Sequence, residues 1–504
     1  MSRRAVNAQV GRIDMGPDIS EVITEIATPR VMVVGAHGSV GVPNLVLGIL
    51  VSMSRQKVST AVGYAGDSLV RATHARRVTA RLAHTLDPWA LEREPLIQAF
   101  ARLSGGAELV LIECCDGILD RYPEHWTVGS SAELAHLLKM PVVLVVDGWG
   151  YKETLAAMVA GIRDHDTRLQ LKGVIANRVI DDHHNQRIRT AVEELGGITY
   201  LGGIPMADAE VLAGVEHAGD ADNPSLLPRG RIIAAGDLVK AHINIDAMRE
   251  IATGGGLLEV NKSFLTGVSQ VCKIAVADDL AFHLTVQDNL DLIRRSGGQL
   301  KAFSPIADFK IPSDVGAIYL PNGYLHVYAR DLAHNTSMIK SIADFAMRGG
   351  IIYAEGCGVA YLCKKVILSD GSVYDMCGAL SGIASAQVGE AEQIEPVRTL
   401  VRSTKDNSLL AAGNVMRGFR ERRWRFSFEE GSIDYGFELR DELVVGETHN
   451  GDVGDTASMA FSPTLDGFMV SDNILATTVQ LHWGSCSEAA THFVRHSAKK
   501  NNAK

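Results

Sequence analysis

From Pro29 onward the apolar positions fall in short unbroken runs separated by longer mixed stretches. VMVVG (31–35), LVLIE (109–113), PVVLVVD (141–147) and GVIANRV (173–179) are such runs. A strand wetted on one face alternates apolar and polar residues, whereas an unbroken run is covered on both faces, as in a parallel sheet flanked by helices. Residues 130–139 and 152–163 read as helices between them. The alternation predicts a doubly wound α/β domain over residues 29–206. A second α/β pattern begins at CKIAVADD (272–279) and continues through GAIYLPNG (316–323), GGIIYAEG (349–356) and DGFMVSDN (466–473). It predicts a second α/β domain over residues 271–497. The stretch 207–270 is less regular, with DADNPS, a Pro-Arg-Gly turn and TGGG (253–256), and reads as a connecting segment with some helix. Residues 1–28 form an N-terminal extension and 498–504 a tail in this reading.

Composition narrows the class. The chain has 504 residues, enough for two to four domains, and is 46% hydrophobic and 21% charged, as soluble globular proteins are. Its net charge of −10 argues against a nucleic-acid partner. It contains no apolar run of about 18 residues, so no membrane span is expected. The first residues are mildly basic but lack the apolar core of a secretory signal. The seven cysteines form no paired framework, which fits a reduced, cytoplasmic compartment.

Two stretches carry candidate chemistry. Residues 31–48, VMVVGAHGSVGVPNLVLG, place strand, glycine loop and helix in the order used by nucleotide-binding P-loops. Gly35, Gly38 and Gly41 let backbone amides converge on a phosphate, and the helix start with Asn44 adds a favourable dipole. The lysine and hydroxyl that complete such a loop are absent: Gly41 is followed by Val42 and Pro43. Three readings stay open: a turn that binds nothing, a weakened anion or nucleotide site, and a working ATP site. The second stretch, IIYAEGCGVAYL (351–362), is a strand entering a glycine-flanked turn that opens a helix. A turn of this kind lifts one side chain out for chemistry.

That second stretch resembles the nucleophile turn, Tyr-Ala-Glu-Cys-Gly-Gly, of the cobyrinate a,c-diamide synthase family. Gly356 occupies the nucleophile slot here and Cys357 follows it. The resemblance runs along nearly the whole chain: TLDPWA (85–90), LIECCDGILD (111–120), SSAELAHLLKMPVVLVVD (130–147), LGGIP (201–205), DDLAF (278–282), FSPIAD (303–308), LAHNTSM (332–338), MCGALSG (376–382) and ILATTVQLHW (474–483) keep the family's order. It implies a P-loop-type, dethiobiotin-synthetase-like ATP-binding domain followed by a class I glutamine amidotransferase-like domain. It also implies ATP and Mg²⁺ as cofactors, and amidation of carboxylates on a tetrapyrrole or corrinoid. Assembly as a homo- or hetero-oligomer, with an active homologue or another amidating subunit as partner, is a further expectation. No tightly bound metal is expected.

Carried over by position, the resemblance makes Glu113 the Mg²⁺-associated carboxylate, a suitable ligand for a hard cation. It makes Asp67 and Asn177 nucleotide-site residues. In the second domain the base slot holds Gln480, which cannot take a proton, while His482 lies two positions on, about 6–7 Å along a strand. Cys357 is displaced from the nucleophile slot by about 3.8 Å. It works only if the turn slides by one residue. The family's Gly-Gly-Tyr-Pro-Glu turn reads Asn322-Gly323-Tyr324-Leu325-His326, and its Gly-His-Glu-Phe-His motif shrinks to Gly446-Glu447-Thr448-His449. With both sites altered on an intact scaffold, the expectation is a non-catalytic or partner-dependent member. The alternative is an active ATP-dependent amidoligase fed by ammonia or glutamine.

Three other features carry candidate chemistry. Adjacent histidines in DDHHNQR (181–187) point in different directions at a helix start, which disfavours one shared metal. Cys114, Cys115 and Asp116 fit a buried strand end or a metal or macrocycle contact. The basic run RGFRERRWRF (417–426) fits a solvated strand or loop, or a surface for an acidic partner or tetrapyrrole carboxylates.

Overall fold

The computed structural model describes residues 23–66, 69–120, 129–217, 227–261, 269–387, 397–441 and 464–502. Asp67 and the 446–449 stretch lie outside the described residues. The first unit is built on a seven-stranded, all-parallel sheet in the order His84–Thr85, Thr60–Tyr64, Leu109–Gly117, Arg30–Gly35, Val142–Asp147, Leu171–Val179, Thr199–Pro205. The unbroken apolar runs are its central strands, buried on both faces, with Val31 to Val34 fully covered. On one face Met32, Val34, Ile112 and Leu144 pack with Leu96, Phe100, Leu134, Leu155 and Ile188 from the flanking helices.

The other face takes the helix Val42–Arg55 and, beyond it, the stretch expected as a connector. That stretch forms the helices Met206–His217, Arg229–His242 and Ile245–Ala252. Ala209, Ala235, Val239, Ile245 and Met248 share one core with Val31, Val33 and Val46. Within this stretch, residues 207–217 and 227–252 therefore belong to the first unit's packing. The amphipathic signal of Arg229–His242 is weak because its contact rests on small residues. A Cβ on Gly236 would fall inside the Val51 side chain, and one on Gly48 would collide with Val239. Ile23–Ile26 pairs antiparallel with Leu258–Asn261 in a two-stranded ribbon. The glycine turn before Leu258 is held by Arg30, whose buried guanidinium donates to Leu138 O (2.7 Å) and to the carbonyl of Gly256.

The second unit centres on a ten-stranded mixed sheet. Gly298–Phe303, Cys272–Ala277, Ala317–Leu320, Ile351–Glu355 and Ile474–Thr477 are parallel. Thr464–Val470, Asp434–Asp441, Val397–Ser403, Val415–Arg420 and Val479–His482 continue it antiparallel. A four-stranded sheet, Val373–Asp375, Cys363–Ile367, Leu380–Ala386 and Trp424–Phe428, covers part of one side.

The two units meet along a seam crossed by buried charge pairs. Arg102 holds Asp288 through Nε (2.8 Å) and Nη2 (2.6 Å), Arg398 pairs with Asp87 at 3.1 Å, and His84 meets Asp291 at 2.8 Å. Arg417 donates to Trp89 O at 3.0 Å, and the Arg398 guanidinium lies over the rings of Trp89 and Phe419. The TLDPWA segment is thus a docking element for the second unit.

Candidate functional site

In the first unit the glycine loop joins the central strand Arg30–Gly35 to the helix Val42–Arg55. Gly41 is left-handed (φ 85°) at the helix start, and a Cβ there would lie 2.6 Å from Asn177 Nδ2. Asn177 Nδ2 donates to Val40 O at 2.9 Å, so this asparagine braces the loop from a neighbouring strand. Gly35 ends the strand, Gly38 is open on its Cβ side, and Asn44 is buried in the first helical turn. Val42, in the lysine slot, is 1% exposed and packs in the core with Val40. The loop's backbone is formed and its cation is missing.

Glu113 lies on the adjacent strand, 2% exposed. Arg71 Nε, from the helix Leu69–Thr79, sits 3.0 Å from its Oε1, and Cys115 Sγ donates to the same oxygen at 3.3 Å. A fixed guanidinium thus supplies the positive charge that a hard cation brings to such a carboxylate. Among the described residues no group of three His, Cys, Asp or Glu could hold a metal ion. The residues present do not fit Mg²⁺: one carboxylate is ion-paired, and the loop lacks the lysine and the hydroxyl. The other metal candidates resolve in the same way. His184 caps its own helix region, accepting from Ile180 N at 3.1 Å, while His183 faces solvent. Cys114 is buried in the strand Leu109–Gly117, and burial pushes its thiol up to about 12.

In the second unit the turn after Ile351–Glu355 has not slid. Gly356 is its apex, at φ 51°, ψ −113°, a conformation that side-chain-bearing residues rarely adopt. Cys357 is the first residue of the helix Cys357–Leu362 and points into the core. Its Sγ lies 3.6 Å from Ala281 O and 3.8 Å from Pro321 O, fully buried, and burial raises the thiol well above its ordinary range. A buried, protonated thiol is a poor nucleophile.

The space a nucleophile would occupy is taken by Asn322. Its Oδ1 accepts from Cys357 N at 3.0 Å, and its Nδ2 donates to Glu421 Oε2 at 3.0 Å. The amide after the apex residue is the one such a turn offers to a developing oxyanion. Here a carboxamide from the same chain engages it. A Cβ on Gly356 would lie 2.5 Å from Asn322 Oδ1 and 2.6 Å from its Cγ. The side chain missing at 356 and the one present at 322 fill each other's place.

The base is also absent. Gln480 is buried and donates to Leu284 O at 2.5 Å. His482, 3% exposed, lies at the seam among Thr85, Asp87, Asp288 and Arg102. Burial lowers its pKa, so it stays neutral. Cys357 Sγ lies against Ala281 O and Pro321 O while His482 lies at the seam, so the structure does not bring them together as a pair. Two carboxyls near the elbow were not anticipated. Glu355 is fully buried, accepts from Tyr319 OH (2.9 Å), Tyr353 OH (2.6 Å) and Leu481 N (3.1 Å), and is raised by burial to about 7. Asp466, also raised by burial, accepts from Thr478 Oγ1 at 2.5 Å. Glu421, the anchor of Asn322, was hidden inside a run that read as basic.

A P-loop-type sheet domain followed by an elbow-bearing mixed sheet defines a two-domain protein of the amidotransferase class. Residues 273–477 match the CobB/CobQ-like glutamine amidotransferase domain, and residues 68–210 match an AAA domain. The cobyrinate a,c-diamide synthase of Leptospira interrogans is 26% identical over 94% of this chain and 100% of its own length. That of Methanothermobacter thermautotrophicus is 28% identical over 93% and 99%. That of Listeria innocua is 29% identical over 70% and 78%. Over nearly its whole length the chain is thus similar to the cobyrinate a,c-diamide synthase family.

Proposed function

We propose that this chain is a non-hydrolysing member of that family, acting on or beside a carboxylated tetrapyrrole as a binding or partner subunit in an amidation step. The observation that carries the reading is the elbow: glycine at the apex, the neighbouring thiol turned into the core, and the oxyanion amide bonded to Asn322. Glutamine hydrolysis needs a thiolate held beside a base, and the slots for both are filled by residues unable to serve. The Arg71–Glu113 pair and Val42 support the same conclusion for Mg²⁺–nucleotide chemistry in the first unit. The preserved two-unit scaffold with its charged seam supports a role that depends on shape and association.

The test is glutamate release from glutamine by the purified chain, with ATP, Mg²⁺ and a carboxylated corrinoid present. No release is expected, and Cys357→Ala should leave the trace unchanged. Release that disappears in Cys357→Ala would overturn the reading and make the chain a working amidotransferase.

A further inference from the structure

The helix Leu69–Thr79 of the first unit rests against the second. Leu69 packs with Leu284, Val286 and Tyr324, and Arg76 Nη2 stands 3.6 Å from Asp278 Oδ2 across the seam. Two histidines sit at this contact, His74 on the helix and His283 in the segment after Cys272–Ala277, and a charge on His283 disfavours one on His74. His283 Nδ1 donates to Asp279 O at 3.1 Å, so the neutral ring keeps its lone pair on Nε2. Nε2 of His283 and Nδ1 of His74 are buried, and neither has a hydrogen-bond partner among the described residues. A proton added to His283 must therefore sit on Nε2, where no acceptor receives it. A charged His74 likewise carries a donor at Nδ1.

The surrounding charges do not offset this cost. His74 faces Arg77 from its own helix, and burial, then Arg77 and His283, bring it from 6.5 down to about 4. Arg76, Asp278 and Arg294 line the cavity beside His283, with Asp278 near Arg76 and Arg294 held by Asp291 at 2.6 Å. Asp279 is engaged by Ala281 N, Ser304 Oγ and Ile306 N. Burial lowers His283 in spite of Asp278 and Asp279. Its ring lies 5.2 Å from that of Tyr324, and His326 lies 5.8 Å from the same ring, held down to about 4 by burial and by Arg423.

We propose that this contact is an acid-sensitive latch: protonation of His74 and His283, which stand on opposite sides of the seam, loosens the helix Leu69–Thr79 from the second unit. The docked seam binds fewer protons than the open one. Docking is therefore fully held above 6.5 and weakens as pH falls toward 4. His74 alone accounts for a loss of roughly 30-fold in the docking equilibrium between pH 8 and pH 5. The inference concerns the seam and stands apart from the reading of the elbow.

The test is hydroxyl-radical footprinting of the full chain along a urea series, at pH 8 and at pH 5. Tyr324, 6% exposed, reports the contact, and the fully buried Tyr353 reports unfolding of the second unit. At pH 5 the urea midpoint for labelling Tyr324 should fall, and should lie below that for Tyr353. His74→Gln/His283→Gln should at least halve the shift between the two pH values. Should that pair of changes prevent folding, His74→Gln alone should still reduce it. An equal Tyr324 midpoint at the two pH values, Tyr324 and Tyr353 becoming reactive together at pH 5, or a shift unchanged in the variants would each overturn the proposal. The last outcome would assign the acid response to His326 and His482.

Discussion

Returning a thiol to the elbow by Gly356→Cys should fail in this chain and become tolerable once Asn322 is removed. The new Cβ would stand 2.5 Å from Asn322 Oδ1, so Asn322 must leave a place where it is only 4% exposed and holds two hydrogen bonds. Overpacking costs about 1–3 kcal/mol, and losing the bonds to Cys357 N and to Glu421 costs about 1–3 kcal/mol more. Backbone strain for a non-glycine residue adds roughly 1–3 kcal/mol. The single variant should therefore lose on the order of 3–9 kcal/mol. In an Asn322→Gly background the first two contributions vanish and only strain remains. The coupling between the two positions should thus be about 2 kcal/mol or more, in the range found for residues in contact. For a domain of this size that is a difference of roughly 4–8 °C in melting midpoint. The assay is a double-mutant cycle read by thermal melting, with thiol alkylation of the folded protein to show that the restored sulfur is presented. Equal destabilisation by Gly356→Cys in both backgrounds, within about 0.5 kcal/mol, would refute the account of Asn322 as the occupant of the nucleophile's space.

Three further outcomes are expected. Glu355 is raised from 4.5 to about 7, so its contribution to stability is fully present below the unfolded value and is lost as pH rises through 7. Glu355→Gln should remove up to about 3 kcal/mol of pH dependence between pH 5 and 8, measured by melting the two proteins across that range, and identical pH profiles would sink this assignment. Arg398→Ala leaves Asp87, 1% exposed, as an uncompensated charge at the seam. A loss of about 3–5 kcal/mol and separate melting of the two units should follow in calorimetry, and a single unshifted transition would count against the seam as an energetic link. Millimolar Mg²⁺–ATP should not raise the melting midpoint of the wild-type chain, because Arg71 holds Glu113 and Val42 replaces the lysine; a saturable rise would show that nucleotide still binds.

Much of the scaffold was legible because a buried parallel strand writes itself locally. The runs at 31–35, 109–113, 141–147 and 173–179 needed only neighbouring residues to declare themselves, and all four are central strands. The family resemblance followed from segments in fixed order. The helix Arg229–His242 was not legible as core, since close contact through Gly236 against Val51 leaves no 3.6-residue apolar stripe to read. At the elbow the sequence located the turn and the displaced cysteine. It did not show which way Cys357 points, a matter of one backbone conformation. Nor did it show Asn322 bridging to residues 35 and 99 positions away. Arg71 against Glu113 was invisible for the same reason: a pair joined from a helix to an interior strand leaves no spacing to recognise.

The ribbon of Ile23–Ile26 against Leu258–Asn261 brings the two ends of the first unit side by side. Among the described residues no strand of one unit's sheets is borrowed from the other. A gene divided between the codons for residues 261 and 272 would therefore yield two polypeptides, each carrying every strand of its own sheets. Their reunion would rest on the seam, with its Arg102–Asp288, Arg398–Asp87 and His84–Asp291 pairs and the Arg417–Trp89 hydrogen bond. In that sense the molecule is already written as a heterodimer in a single reading frame, and exchange of either half for that of a relative needs only a matching seam.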